Sequence, residues 1–168
     1  ENVMTQLELS EKLKNNELKD GETFVFIQCV GSRQPEGGNG VTYCSLICCS
    51  ESIRHALYVK ENYPNSNLYV LYRDIRVGTD EEQYYWKARE NVNYIRFNEY
   101  PTVDPINGKL VVNVKDILTQ TDLNIEADKL VLSTPLIPND TQKLGEMIKC
   151  ARDQNGFFLE AHVKLRPI

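Results

Sequence analysis

The 168-residue chain has a net charge of −5, with 41% hydrophobic and 26% charged residues, which suits one globular domain with a real core. The acidic balance argues against nucleic acid as the main partner, because such binding uses a basic surface to displace counterions. No apolar run approaches the roughly 20 residues needed to span a bilayer, and no basic-then-apolar leader opens the chain, so the expectation is a soluble, cytoplasmic protein without a membrane span.

Residues 1–21 are polar, with Leu7, Leu9, Leu13 and Leu18 as apolar points. Leu9 and Leu13 share a helical face and Ser10 offers a cap, so this part reads as a short lead-in helix ahead of a domain over 22–168. The first residue is not Met and the last four are LRPI, which gives the expectation of a piece excised from a longer polypeptide. Thr23 to Val30 is β-branched, aromatic and free of charge, as a strand covered on both faces should be. From Ser45 to Asn62 the period becomes helical, with Leu46, Ser50, Ile53 and Leu57 at spacings of three and four. Leu68 to Tyr72 is a second buried strand. Glu81 to Asn91 is a helix with its acids first and its bases last, as the helix dipole favours. Val92 to Phe97 is the third strand. Three strands joined by helical crossovers make a β-α-β-α-β unit with a parallel sheet.

After Phe97 the pattern changes. Tyr100 to Val103, Leu110 to Val114 and a weaker stretch at 122–125 are separated by Asp104-Pro105 and Asn107-Gly108, and read as an antiparallel meander. Lys129 to Ser133 returns to the buried-strand style. Asp140 to Arg152 reads as a helix with Leu144, Met147, Ile148 and Ala151 on one face, ended by Asn155-Gly156. The fold class is α/β: a Rossmann-like parallel sheet plus a β-meander, the order found in the pyridine-nucleotide domain of two-dinucleotide flavoproteins such as thioredoxin reductase.

Such a domain places a G-x-G-x-x-G at its first strand-to-helix turn, so that the backbone can approach a pyrophosphate. Here the best fit, Gly38-x-Gly40-x-x-Tyr43, puts a large aromatic ring where the helix must pack closely, and the fingerprint fails. Asp74, just past the second strand, stands where an acid would meet the ribose, though an acid there is more often solvated turn chemistry.

Four of the five cysteines occupy the turn instead: Cys29 at the strand end, then Cys44, Cys48 and Cys49, in the spacing C-x14-C-x3-C-C. The carboxyl ends of parallel strands are where open α/β sheets bind ligands. A helix amino terminus also favours thiolates, which lowers their pKa and suits them to metal. Three readings compete. Small buried hydrophobes account poorly for four thiols together. Structural zinc would bring a second pair of closely spaced ligands. An iron-sulfur cluster tolerates irregular spacing and takes four thiolates. Cys150, alone near the C-terminus, reads as a packing or exposed residue.

Phe26-Ile27-Gln28-Cys29-Val30-Gly31-Ser32-Arg33, Tyr43-Cys44-Ser45-x-x-Cys48-Cys49, Tyr72-Arg73-Asp74-Ile75-Arg76, Lys87-Ala88-Arg89-Glu90 and the closing Gly156 to Pro167 together resemble the A-subunit family of heterodisulfide reductase across nearly the whole chain. The resemblance implies a large iron-sulfur flavoprotein with a thioredoxin-reductase-like core, FAD and several [4Fe-4S] clusters. In that family the cysteine motif ligates a cluster near the flavin, so Cys29, Cys44, Cys48 and Cys49 carry over as ligands. The implied role is electron transfer between flavin and clusters, which in methanogens forms part of electron bifurcation. The implied partners are other subunits of the complex, with ferredoxin or hydrogenase-type proteins.

This segment would then be the pyridine-nucleotide domain with its nucleotide site given up for a cluster. The Gly-rich FAD turn and the ferredoxin-type CxxCxxC runs are missing from it, so the fragment alone is expected to be inactive, as part of an enzyme. Arg54 stands where relatives often carry a Lys able to approach the flavin, and the loop Gln34 to Val41 is slightly longer than theirs. His162 and Lys164 fall in the closing segment as further FAD-side candidates. His55 reads as a packing or surface residue and Glu160 has no visible partner. Trp86 with Tyr84 and Tyr85 reads as a core-facing stripe. The alternatives are a degenerate NAD(P)-binding domain for flavin reduction and a docking platform for partner subunits.

Overall fold

The computed structural model describes residues 2–160. Its elements in chain order are β1 (Val3–Thr5), α1 (Gln6–Lys14), β2 (Thr23–Ile27), α2 (Cys48–Asn62), β3 (Asn67–Tyr72), a 3-10 turn (Thr79–Glu81), α3 (Glu82–Arg89), β4 (Asn93–Arg96), β5 (Thr102–Ile106), β6 (Lys109–Asp116), β7 (Thr121–Ala127), β8 (Lys129–Leu132) and α4 (Gln142–Ile148). Chain contacts divide them into two units, 1–135 and 136–168.

In the first unit, β2 alternates its side chains between two cores. Phe24 and Phe26 join Leu9, Leu13, Ile53, Ala56, Val59, Leu68 and Val70 on the helical side. Val25 and Ile27 join Leu71, Ile95, Phe97, Val112, Val114 and Ile125 on the other. Both faces of the strand are therefore covered, which is why its sequence is continuously apolar. The parallel sheet has the order β1-β8-β2-β3-β4, and β5-β6-β7 form a separate antiparallel sheet. β2 is central, paired in parallel with β3 on one side and β8 on the other. The β-α-β-α-β unit is as the patterning implies, and so is the meander except at Asp104-Pro105, which reads as a turn but lies inside β5, opposite Val111 and Leu110.

The lead-in segment is woven into this sheet. Val3, Met4 and Thr5 pair with Leu130, Val131 and Leu132 of β8, a strand too short for an alternation to show. The helix that follows is capped by Thr5 rather than Ser10: the Thr5 side chain accepts from Glu8 N–H, and the Glu8 carboxylate accepts in return from Thr5 N–H. This is a capping box. Ser10 sits inside α1, its hydroxyl 2.8 Å from His55 Nε2.

Three helix readings need correction. α2 begins at Cys48 rather than Ser45 because Leu46 adopts a left-handed φ of 59°, which an α-helix cannot include; the side chain is 66% exposed. On α3 it is Tyr85 that turns inward, its ring 5.5 Å from Tyr94, while Trp86 is exposed under the Arg89 guanidinium at 5.1 Å. In the second unit α4 spans only Gln142–Ile148, stopped by Lys149 at φ 55°. The predicted apolar face of α4 is exposed at Leu144, Met147 and Ile148, and Gly145 is its buried position. A Cβ on Gly145 would stand 3.0 Å from the Cys150 carbonyl oxygen. Beyond α4, the Asp153 carboxylate accepts from the N–H groups of Asn155 and Phe157, closing the turn at Gly156. His162 and Lys164 lie outside the described residues.

Candidate metal centre

Strand β2 ends two residues before Cys29. Gln28 still holds the ladder, donating its N–H to Leu71 C=O at 2.9 Å, but Cys29 turns to φ 61° and leaves it. A left-handed non-glycine residue costs about 1–3 kcal/mol and persists only where its surroundings enforce it. The enforcing contact is Tyr100, whose hydroxyl donates to the Cys29 carbonyl at 2.6 Å. Gly31, Arg33 and Leu46 are also left-handed, so reversed backbone recurs on both sides of the thiols.

Between Cys29 and Cys44 the chain forms a closed hairpin. Arg33 N–H donates to Tyr43 C=O, Gln34 N–H to Val41 C=O, and Val41 N–H to Gly31 C=O at 2.8 Å. Gly40 has φ 140°, and any Cβ there would run into the Gly31 carbonyl, so only glycine lets the two strands of the hairpin approach this closely. The Gln34 side chain reaches Tyr100 Oη at 3.0 Å. The longer loop is thus tied back on itself at the base that carries Cys29.

Cys44 lies in the loop and Cys48 and Cys49 open α2. Cys29 and Cys49 are buried and Cys44 and Cys48 half-buried, all with free thiols. Cys48 Sγ lies 3.6 Å from the Thr134 carbonyl and Cys49 Sγ 3.8 Å from the Asp74 carbonyl. Burial raises the Cys48 pKa, and the charge of Cys44 adds to it. Burial likewise pushes Cys49 up to about 11, with the Arg76 backbone N–H opposing and Cys29, Cys48 and Cys44 reinforcing. A helix amino terminus by itself depresses a thiol pKa, and here burial and mutual repulsion outweigh it. Among the described residues, no three His, Cys, Asp or Glu side chains are grouped closely enough to hold a metal ion as they stand.

Polar groups frame this end of the sheet. Gln6 Nε2 lies 3.1 Å from the Cys48 carbonyl and within hydrogen-bond distance of Ser52 and Ser133. Gln28, fully buried, donates to Ser52. Asp74 is engaged by arginines, with Arg33 Nη1 at 2.8 Å on one oxygen and Arg96 Nη2 at 3.5 Å on the other. Its pKa is lowered, first by the Arg33 hydrogen bond. Arg54 projects toward Glu51 at 3.2 Å and pairs also with Glu81. Sequence pattern points to the cysteines and Asp74. It gives no sign of Gln6, Ser133 or Tyr100, which come to the site only through tertiary folding.

No family model matches the chain. Over 184 aligned residues it is 37% identical to the iron-sulfur A-subunit of the CoB–CoM heterodisulfide reductase of Methanocaldococcus jannaschii, covering 100% of this chain and 28% of that protein. It is 37% identical over 147 residues to the A-subunit of the ferredoxin:CoB-CoM heterodisulfide reductase of Methanosarcina acetivorans, covering 86% and 18% respectively. The chain thus spans less than a third of the length of these relatives. Among solved structures, L-lysine 6-monooxygenase of Pseudomonas syringae matches with a TM-score of 0.56 and 11% identity, over 95% of this chain and 46% of that one. Lactococcus lactis thioredoxin reductase matches with a TM-score of 0.52 and 15% identity, over 94% and 45%. These likenesses are of fold.

Proposed function

We propose, from the premise that this chain is homologous over nearly its whole length to a segment of the heterodisulfide reductase A-subunit, that it is the electron-transfer segment of such an oxidoreductase, with Cys29, Cys44, Cys48 and Cys49 as ligands of a [4Fe-4S] cluster. The observation that carries the reading is that four free thiols stand just past the end of β2, in the loop that follows and at the start of α2. The donor set has the chemistry for the group: four free cysteine thiols, which a cationic iron centre would hold as thiolates by displacing their protons, once their side chains draw together from the arrangement seen here. Such a cluster supplies one-electron storage.

In this reading the protein's own contribution is to bury Cys29 and Cys49, hold the Cys29 carbonyl through Tyr100, and hold the start of α2 through Gln6. Where this end of the sheet would receive a pyrophosphate in a dinucleotide-binding domain, the space after β2 is given to the hairpin and the thiols. FAD belongs to the parent protein in this reading, with Arg54, His162 and Lys164 as flavin-side candidates. Partner subunits and ferredoxin or hydrogenase-type donors also belong to the parent complex, in a soluble cytoplasmic setting; among the described residues, no helix is long and apolar enough to cross a membrane.

Anaerobic reconstitution with iron and sulfide tests the assignment. The expected product is brown, with about four irons and four sulfides per chain in this site. Cys44→Ser combined with Cys48→Ser should abolish the uptake. Unchanged uptake in that double variant, or a colourless zinc protein from the wild type, would remove the cluster from these residues.

A further inference from the structure

Among the described residues, the second unit has no apolar core of its own. Every side chain of the two buried cores comes from the first unit, and from residue 136 onward the buried position is Gly145. Gly145 lets α4 settle on the turn that follows it: a Cβ there would meet the Cys150 carbonyl oxygen at 3.0 Å and the Phe158 ring at 3.3 Å. A second side of the helix is polar, with Gln142 Nε2 donating to the Glu146 carboxylate at 3.2 Å. Leu144, Met147 and Ile148 stand on the remaining side, and Met147 is 81% exposed. At helical spacing these three fill an arc of about 100°, the width of the stripe that a helix turns toward a core. Seven residues are also too few to stay helical on propensity alone, since isolated helices under about 12 residues are marginal in water.

Three side chains fall far short of the roughly 800 Å² per partner that a specific interface between separate chains buries, so a second copy or a diffusing subunit matches this face poorly. A segment of the same polypeptide matches it well, because tethering holds it at an effective concentration near millimolar and a small contact suffices. Relatives carry such extra polypeptide. The A-subunit of Methanocaldococcus jannaschii matches the whole of this chain with 28% of its own length, which leaves more than two thirds of that protein outside the matched part. We propose that the Leu144, Met147 and Ile148 face of α4 is an intramolecular docking surface, covered in the full-length protein by an apolar segment of its own polypeptide that lies outside residues 1–168. The inference goes beyond the cluster reading, since it needs the homology and no metal.

The test places Met147→Cys in the full-length protein, prepared without oxygen, and follows N-ethylmaleimide labelling of that position by peptide mass spectrometry. Labelling in the native protein is expected to be slower than in urea by about tenfold or more, as for a group that reacts only on local opening. A native rate closer than that to the unfolded rate overturns the proposal. A photoreactive diazirine side chain in place of Met147 then identifies the cover. Cross-links to peptides of the same polypeptide outside residues 1–168 support the proposal. Cross-links confined to residues 1–168, cross-links to a second copy in a mixture of heavy and light protein, cross-links to another subunit, or no cross-link at all overturn it. Iron uptake is measured separately, so the docking surface and the cluster assignment fail independently.

Discussion

His55 shows how a single buried group sets a pH response. Its side chain is 9% exposed; Nε2 meets Ser10 while Nδ1 is buried without a partner. Burial lowers its pKa below the ordinary imidazole value, with Glu51 opposing. The unfolded chain therefore binds a proton at a pH where the folded chain does not, and folding stability must fall as pH drops below about 6.5. The loss continues until the folded pKa is reached, with a slope of at most about 1.4 kcal/mol per pH unit. Urea denaturation at pH 7.5, 6.5 and 5.5 should show this slope in the wild type and a shallower one in His55→Gln. Equal slopes would mean that His55 titrates alike in both states. A sequence contains the histidine but not its partner: Ser10 and His55 are 45 residues apart and meet only because α1 packs beside α2.

At the scale of elements, the division between legible and illegible follows the range of the interaction. β2, β3 and β8 are readable because residues covered on both faces are apolar without interruption, and α2 is readable from its period. Its start is not, since Leu46 is an ordinary helix former and only its observed φ removes it from the helix. The short α4 departs from its pattern for a related reason: Leu144, Met147 and Ile148 have the spacing of a buried face, yet they are exposed. Neither Tyr100 nor Gln6 carries a local signature. Gln6→Leu is the sharper test of how α1 supports the site, because it strips a donor from the Cys48 carbonyl, Ser52 and Ser133 together. It should cost about 1–3 kcal/mol and speed alkylation of Cys48 in the metal-free protein, read by mass spectrometry. An unchanged rate and stability would make the Gln6 contacts incidental.

For the first unit as a whole, one sheet joins two apolar cores, so damage to β3 should spread to both. Leu71 is fully buried on the meander side, while its neighbour Val70 faces the helices. Leu71→Ala is expected to destabilise by about 2–5 kcal/mol, and hydrogen exchange should accelerate in β6 and β7 as well as in β2. Acceleration confined to β3 would show that the meander is held independently. The α/β class is legible because alternation of strand and helix implies a parallel sheet. The place of β1 at its edge is not, because three residues carry too little pattern.

The hairpin between Arg33 and Tyr43 has a further consequence for how such chains can vary. Its base is locked by three backbone hydrogen bonds and by Gly40 against Gly31, while residues 36–39 at its tip are exposed and none of them is a cysteine. The thiols on either side are thus mechanically insulated from the tip. Extra residues inserted at Gly37-Gly38 would extend the outer end and leave the spacing of the thiols untouched, whereas one residue added below Gln34 would break the seam. The distance in sequence between Cys29 and Cys44 is therefore a poor guide to their distance in space, and a tag or spectroscopic probe could be carried at the tip as a handle beside the site.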